Sequence, residues 1–223
     1  MLCRARWYAC FALLAVVSDL STAVAQIPGA PVLQNAWATA GIVGAVDIAG
    51  GSDGTVYAAA ASWTPGSGHF ELSGGGGFRT RTGGGSGGVY GIRAAVPLFG
   101  ESSSFGVGAF AGIGGGSAAK PKIIFVDSVA STAEIPVGAA VGWRHAIGGN
   151  HGISVYATPS YVFFTGGTKT DGLVRVGVGA DVGITKAIGA TLGAEFGGNR
   201  PRGFGGPSGA LYGIGLSYAL GHR

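Results

Sequence analysis

Charge is scarce in this sequence: only 11% of its 223 residues are Asp, Glu, Lys or Arg, against 47% hydrophobic residues. Cysteine is almost absent, with Cys3 and Cys10 the only two, both at the extreme N-terminus. Outside that N-terminus no long apolar run occurs, so a bundle of membrane-spanning helices is excluded. No Gly-X-Y period runs through the chain, which excludes collagen. Simple disorder is excluded by a mean hydropathy of +0.41. What is abundant is glycine, 47 residues, about three times the ordinary share of roughly 7%. Each glycine inside a helix costs roughly 1 kcal/mol relative to alanine, so a helical protein is a poor fit.

The first 25 residues read as a secretory signal peptide. Arg4 and Arg6 give a basic start, Trp7 to Val17 an apolar stretch too short to cross a bilayer, and Ala23-Val24-Ala25 a small-x-small cleavage site before Gln26. Trp7 stands three positions before Cys10, where a lipoprotein signal would carry Leu or Val. Cleavage would remove both cysteines, so neither a disulfide framework nor a cysteine metal site is expected in the exported chain. It would also leave a formal charge of about +3, spread over glycine-rich sequence. That is no footprint for nucleic acid.

Residues 26–38 read as a linker with Pro28 and Pro31. From Thr39 onward the sequence alternates with the period of a β-strand. Ten segments are expected: Thr39–Ala49, Thr55–Trp63, His69–Arg79, Val89–Leu98, Phe105–Gly114, Ile135–His145, Gly152–Phe164, Leu173–Thr185, Gly189–Phe196 and Ala210–Leu220. In the clearest of them Val174, Val176, Val178, Ala180, Val182 and Ile184 share one face, and Arg175, Gly177, Gly179, Asp181 and Gly183 the other. The ionisable residues Asp47, Glu71, Arg79, Arg93, Arg144, Arg175, Asp181 and Glu195 all fall on the small-residue face.

A soluble sandwich turns its apolar faces inward, whereas a membrane barrel turns them to lipid and its polar face to the lumen. Three features favour the barrel. The polar face is mostly Gly, Ala and Ser, which a solvated face does not need and a crowded lumen does. Aromatic residues sort by segment end: Trp63, Phe70, Phe105, Trp143 and Tyr218 toward one, and Tyr57, Phe78, Tyr90, Tyr161, Phe163, Phe196 and Tyr212 toward the other. Two such girdles suit the two bilayer interfaces. The connections also alternate. Thr64–Gly68, Phe99–Ser104, Ala146–His151 and Lys186–Ile188 are short. On the opposite side Gly50–Gly54 is short, while Thr80–Gly88, Gly115–Glu134, Gly166–Gly172 and Gly197–Gly209 are longer. Short periplasmic turns and longer external loops are the rule for such barrels. The fold class expected is therefore all-β, a closed antiparallel up-and-down transmembrane barrel over residues 39–220. Ten strands are favoured over eight, with a tail at 221–223.

On this patterning the chain resembles small bacterial outer-membrane β-barrel proteins of porin-like or opacity-like type. The most specific element is Gly215-x-x-Tyr218-x-Leu220, which is similar to the C-terminal assembly signal of that class, although Gly221, His222 and Arg223 follow it. The resemblance implies delivery by periplasmic chaperones, insertion by the barrel-assembly machinery, and contact with outer-membrane lipid and lipopolysaccharide.

Chemistry-bearing constellations are few. The eight luminal charges, four of each sign, are expected to pair in an internal network holding the barrel shut, or else to ring a small polar pore. Gly74–Gly77 and Gly83–Gly88 flank Arg79 and Arg81 without the Gly-Lys-Ser/Thr of a phosphate loop, and read as a flexible strand end and an exposed loop. His69, His145, His151 and His222 lack catalytic or metal-binding spacing. Lys120, Pro121, Lys122 and Ile123-Ile124-Phe125-Val126 fall in the longest loop, where they suit a plug, a hairpin extension or an external contact. Arg200 and Arg202 read as solvated charge or as contacts to lipopolysaccharide phosphates. No catalytic residue, cofactor or metal is expected, and no external partner is named by the sequence. The expected role is that of an integral outer-membrane barrel with a structural, surface-interaction or limited small-solute permeability function. The alternatives are an outer-membrane enzyme acting on lipid or peptide, and a soluble secreted sandwich or adhesin.

Overall fold

A computed structural model describes residues 40–52, 54–66, 68–81, 86–100, 103–116, 132–148, 151–166, 169–198 and 209–220. The N-terminal segment, the 117–131 loop with its Lys120–Val126 stretch, Arg200, Arg202 and the C-terminal tail lie outside the described residues.

Ten strands form: β1 Gly41–Gly51, β2 Gly54–Thr64, β3 Glu71–Arg81, β4 Ser86–Phe99, β5 Phe105–Gly116, β6 Thr132–Gly148, β7 His151–Gly166, β8 Lys169–Gly183, β9 Ile188–Gly197 and β10 Leu211–Leu220. Each pairs antiparallel with its sequence neighbours, and β1 closes on β10 from Ile42↔Leu220 to Gly51↔Leu211. Closure leaves no open sheet edge along the wall, which hydrocarbon requires because an unpaired backbone group there costs several kcal/mol. The ten-strand, all-β closed barrel is thus as the sequence pattern indicates. A sandwich of two sheets is excluded by the single ring of pairing.

Alternation along each strand sets the two faces. On β1, Val43, Ala45, Asp47 and Ala49 are buried, while Ile42, Val46 and Ile48 are exposed. On β8, Val178 and Val182 stand 39% and 42% exposed with no second sheet over them. The apolar faces thus point outward around the circumference. All twelve aromatic residues assigned to the girdles are among the exposed large side chains. Several pair within their belt: Tyr57 stacks on Phe78 at 5.0 Å, and Trp63 meets Phe70 edge-on at 5.5 Å.

The structure corrects two sequence readings. Gly74–Gly77 is not a flexible strand end. It forms the middle of β3, paired with Ala58–Ala61 on one side and with Val89–Ile92 on the other. The longer connections also shrink. Strand pairing extends into the glycine-rich segments, leaving only residues 82–85 between β3 and β4 and 167–168 between β7 and β8. Glycine has no turn obligation of its own, so its presence overstated the loops. Where backbone freedom is required, glycine does supply it: Gly54, just after the β1–β2 turn, has φ +133°.

Candidate functional site

The lumen is the place where chemistry-bearing side chains converge. All eight predicted charges point inward. Asp47, Glu71, Arg79, Arg93 and Arg175 are buried, and Arg144, Asp181 and Glu195 are partly so. Their arrangement is more differentiated than a uniform ring of pairs.

Mid-barrel, Arg93 on β4 lies 3.7 Å from Glu71 on β3, and its guanidinium carbon sits 4.4 Å over the ring of Phe110 on β5. Tyr156 on β7 projects inward between Ser154 and Thr158, within electrostatic range of Arg93, Asp181 and Asp47. Those three residues stand on β4, β8 and β1 respectively, so one phenol addresses three sectors of the wall. Arg93 is 2% exposed, Phe110 5% and Tyr156 5%. Together they occupy the barrel's interior.

Glycine makes the room for these groups. A Cβ on Gly179, paired with Tyr156, would collide with the tyrosine ring, and one on Gly138, paired with Phe110, would lie 2.7 Å from Phe110 Cζ. Val56 of β2 and Val89 of β4 belong to one cluster. They flank β3 at Gly77, which pairs with Ala58 and Val89.

Toward the end opposite the short turns, Arg175 pairs with Glu195 through its Nε and donates to the carbonyls of Gly198 at 3.4 Å and Gly209 at 3.3 Å. One guanidinium thereby ties together both ends of the β9–β10 connection.

Toward the short-turn end a polar row crosses successive strands in register: Arg144, Ser154, Asp181, Thr191, Gly215 and Asp47. Ser154 Oγ donates to Asp181 Oδ2 at 3.3 Å, and Thr191 Oγ1 donates to Asp181 Oδ1 at 2.6 Å. Asp47, at the far end of the row, is held differently. It sits between Gly215 and Ala58, and both of its carboxylate oxygens are buried without a hydrogen bond from the described residues.

Below this row the lumen opens at the short-turn mouth into a cavity of about 490 Å³, bordered by Ser103, Ser104, Arg144, Ser154 and Asp181. His145 and His151 stand at its rim. His145 stacks on Trp143, and His151 Nδ1 lies 3.3 Å from the Gly183 carbonyl. His69 lies in the β2–β3 connection, whereas His222 lies outside the described residues.

Sequence reasoning missed several interior residues. Phe110, Tyr156 and Phe164 are buried aromatics inside the barrel, and Glu134, read as the end of a loop, is a buried residue of β6 paired with Phe164. Their signal was parity: Phe110 alternates with Gly106, Gly108 and Gly112, and Tyr156 with Ser154 and Thr158, so both belong to the inward set. In the assembly-signal segment, Gly215 faces the lumen, and Tyr218 and Leu220 face outward.

No protein-family model and no curated protein matches this sequence. Among solved structures, the crystal structure of the β domain of the Bordetella autotransporter BrkA is similar in fold. It aligns with a TM-score of 0.52 at 13% identity, over 80% of this chain and 98% of that one. At that identity the likeness is one of architecture. The chain is a closed β-barrel of the kind an autotransporter β domain forms.

Proposed function

We propose that this protein is an integral outer-membrane barrel, closed across its middle by its own side chains, with a structural and surface-presenting role and little small-solute permeability. The observation that carries this reading is the burial of Arg93, Phe110 and Tyr156 inside a barrel whose outer wall is apolar. An open aqueous pore would leave such groups wet. Outward valines, leucines and isoleucines between two aromatic belts support residence in a bilayer. The paired termini of the barrel at the short-turn end support a periplasmic start and finish, with export by the cleaved N-terminal signal. In this reading the protein is not an enzyme. Its partners are outer-membrane lipid and lipopolysaccharide, and chaperones with the assembly machinery during biogenesis. The porin-like or opacity-like kinship belongs to the same proposal.

Planar-bilayer recording tests it. The wild-type barrel is expected to show no sustained channel steps, and the Tyr156→Ala/Phe110→Ala double variant to show discrete ones. Large steady steps from the wild type would overturn the closed-lumen reading. Heat-modifiable gel migration, boiled against unboiled, checks that each preparation is a closed barrel.

A further inference from the structure

The outer wall carries a groove over the seam where β1 meets β10. Two neighbouring rungs of outward side chains cross that seam. One runs from β8 to β2 through Ala180, Leu192, Ile214, Ile48 and Tyr57. The next runs from β8 to β1 through Val182, Ala190, Leu216 and Val46. In each rung one position is alanine where its neighbours are Leu, Ile, Val or Tyr, and the two alanines stand on adjacent strands. A cavity of about 750 Å³ lies between the rungs, within the range of small-ligand sites. We infer that this groove holds one straight acyl chain of a membrane lipid.

The floor of the groove decides against a peptide. Asp47, Gly215 and Thr191 border the cavity from between the rungs. Strand alternation sends the side chains of Asp47 and Thr191 into the lumen, where both are buried, so the outer side of this row is backbone. That backbone is committed to the ladders on both sides: Asp47 pairs with Ala58 and Gly215, and Thr191 with Gly215 and Asp181. The groove therefore offers hydrocarbon walls and no sheet edge to which a strand could add. A peptide laid in it would bury its own amides unsatisfied. A polymethylene chain has no polar group to satisfy.

Depth selects the same occupant. Tyr57 ends the first rung and stacks on Phe78 at 5.0 Å in the aromatic belt. The groove thus begins at the belt and lies on its hydrocarbon side, where lipid chains are the surrounding molecules. This step rests on the outer-membrane reading. Lipid tails are as apolar as the wall, so a chain gains nothing there by leaving water. Retention must come from close packing, and hence from shape. A slot one row wide suits a straight chain and is obstructed by methyl branches.

The test is native mass spectrometry of the full barrel in mild detergent, equilibrated with dipalmitoylphosphatidylcholine or with its methyl-branched diphytanoyl counterpart. The wild type is expected to retain the straight-chain lipid about fivefold more than the branched one, the scale of several lost carbon contacts. Ala180→Leu/Ala190→Leu fills the groove and should erase that preference. Ala109→Leu/Ala139→Leu, at paired positions on the outer face of β5 and β6, should leave it intact. Equal retention of the two lipids by the wild type overturns the proposal, as does a preference that survives filling of the groove or is lost in the β5–β6 control. Protein dimers that disappear on filling would give the groove to a second copy and also overturn it. Heat-shifted migration confirms that each variant is a closed barrel. A barrel that needs detergent yet shows no chain preference sinks this inference alone, whereas one that folds and stays in solution without detergent sinks the outer-membrane reading with it.

Discussion

Two halves of the barrel interior solve the same packing problem in opposite ways. From β3 to β7 the wall sends long side chains inward: Glu71, Arg79, Arg93, Phe110, Tyr156 and Phe164 are all buried there. Along the seam from β8 through β10 to β1 many inward positions are small, among them Gly177, Gly179, Gly193, Gly213, Gly215, Ala45 and Ala49, and the long inward side chains Arg175, Glu195 and Leu211 gather at the end opposite the short turns. The crowded half reaches toward the sparse half, as Tyr156 does in lying against Gly179. The glycine excess is therefore the complement of a few large luminal residues, since a narrow barrel holds one layer of long side chains but not two facing layers.

This contrast gives variants of predictable sign. The largest loss is expected from Arg93→Ala in the crowded half. It leaves Glu71 buried without its cation and takes the guanidinium off the Phe110 ring, and breaking a buried pair from one side costs about 3–5 kcal/mol. Urea unfolding in lipid vesicles should show a matching fall in midpoint, and an unchanged midpoint would mean that Glu71 is satisfied in another way. On the outer wall, Val178→Arg should cost about 2–4 kcal/mol, the figure for a cation near the bilayer centre. A soluble protein would tolerate that change, so efficient folding without lipid or detergent would argue against the membrane assignment.

The sparse half should respond in both directions. Asp47→Ala removes a buried carboxylate whose oxygens accept no hydrogen bond from the described residues, and is expected to stabilise the barrel by about 1–3 kcal/mol. A loss instead would show that a partner within the lumen satisfies Asp47. Gly179→Ala places a methyl group against the Tyr156 ring and should cost about 1–3 kcal/mol by overpacking. The Gly179→Ala/Tyr156→Ala pair should recover part of that loss, and this recovery is the sharpest check that the two halves interlock.

Much of the fold was legible from the residues. Val174, Val176, Val178, Val182 and Ile184 announced an outward apolar stripe because a strand's two-residue period leaves no other way to segregate them. Of the charges on the small-residue face, Asp47, Glu71, Arg79, Arg93 and Arg175 are buried in the structure. Strand ends were less legible: Gly74–Gly77 has the composition of a loop, and only the flanking β2 and β4 make it a strand. The short-turn cavity was not legible at all. Arg144, Ser154 and Asp181 lie far apart in sequence, and their convergence depends on the register of two hairpins.

The sequence by itself determined which face of each segment points out of the barrel and which points into the lumen, because alternation is a local property of an extended chain. The tertiary structure alone decided which luminal groups meet: Arg93 with Glu71 and Phe110, Tyr156 with Gly179, and Asp181 with Ser154 and Thr191. Those partnerships are set by closure and register, which fix how far each strand slides against the next and so which inward side chains share a level. No pattern within a single segment encodes that offset.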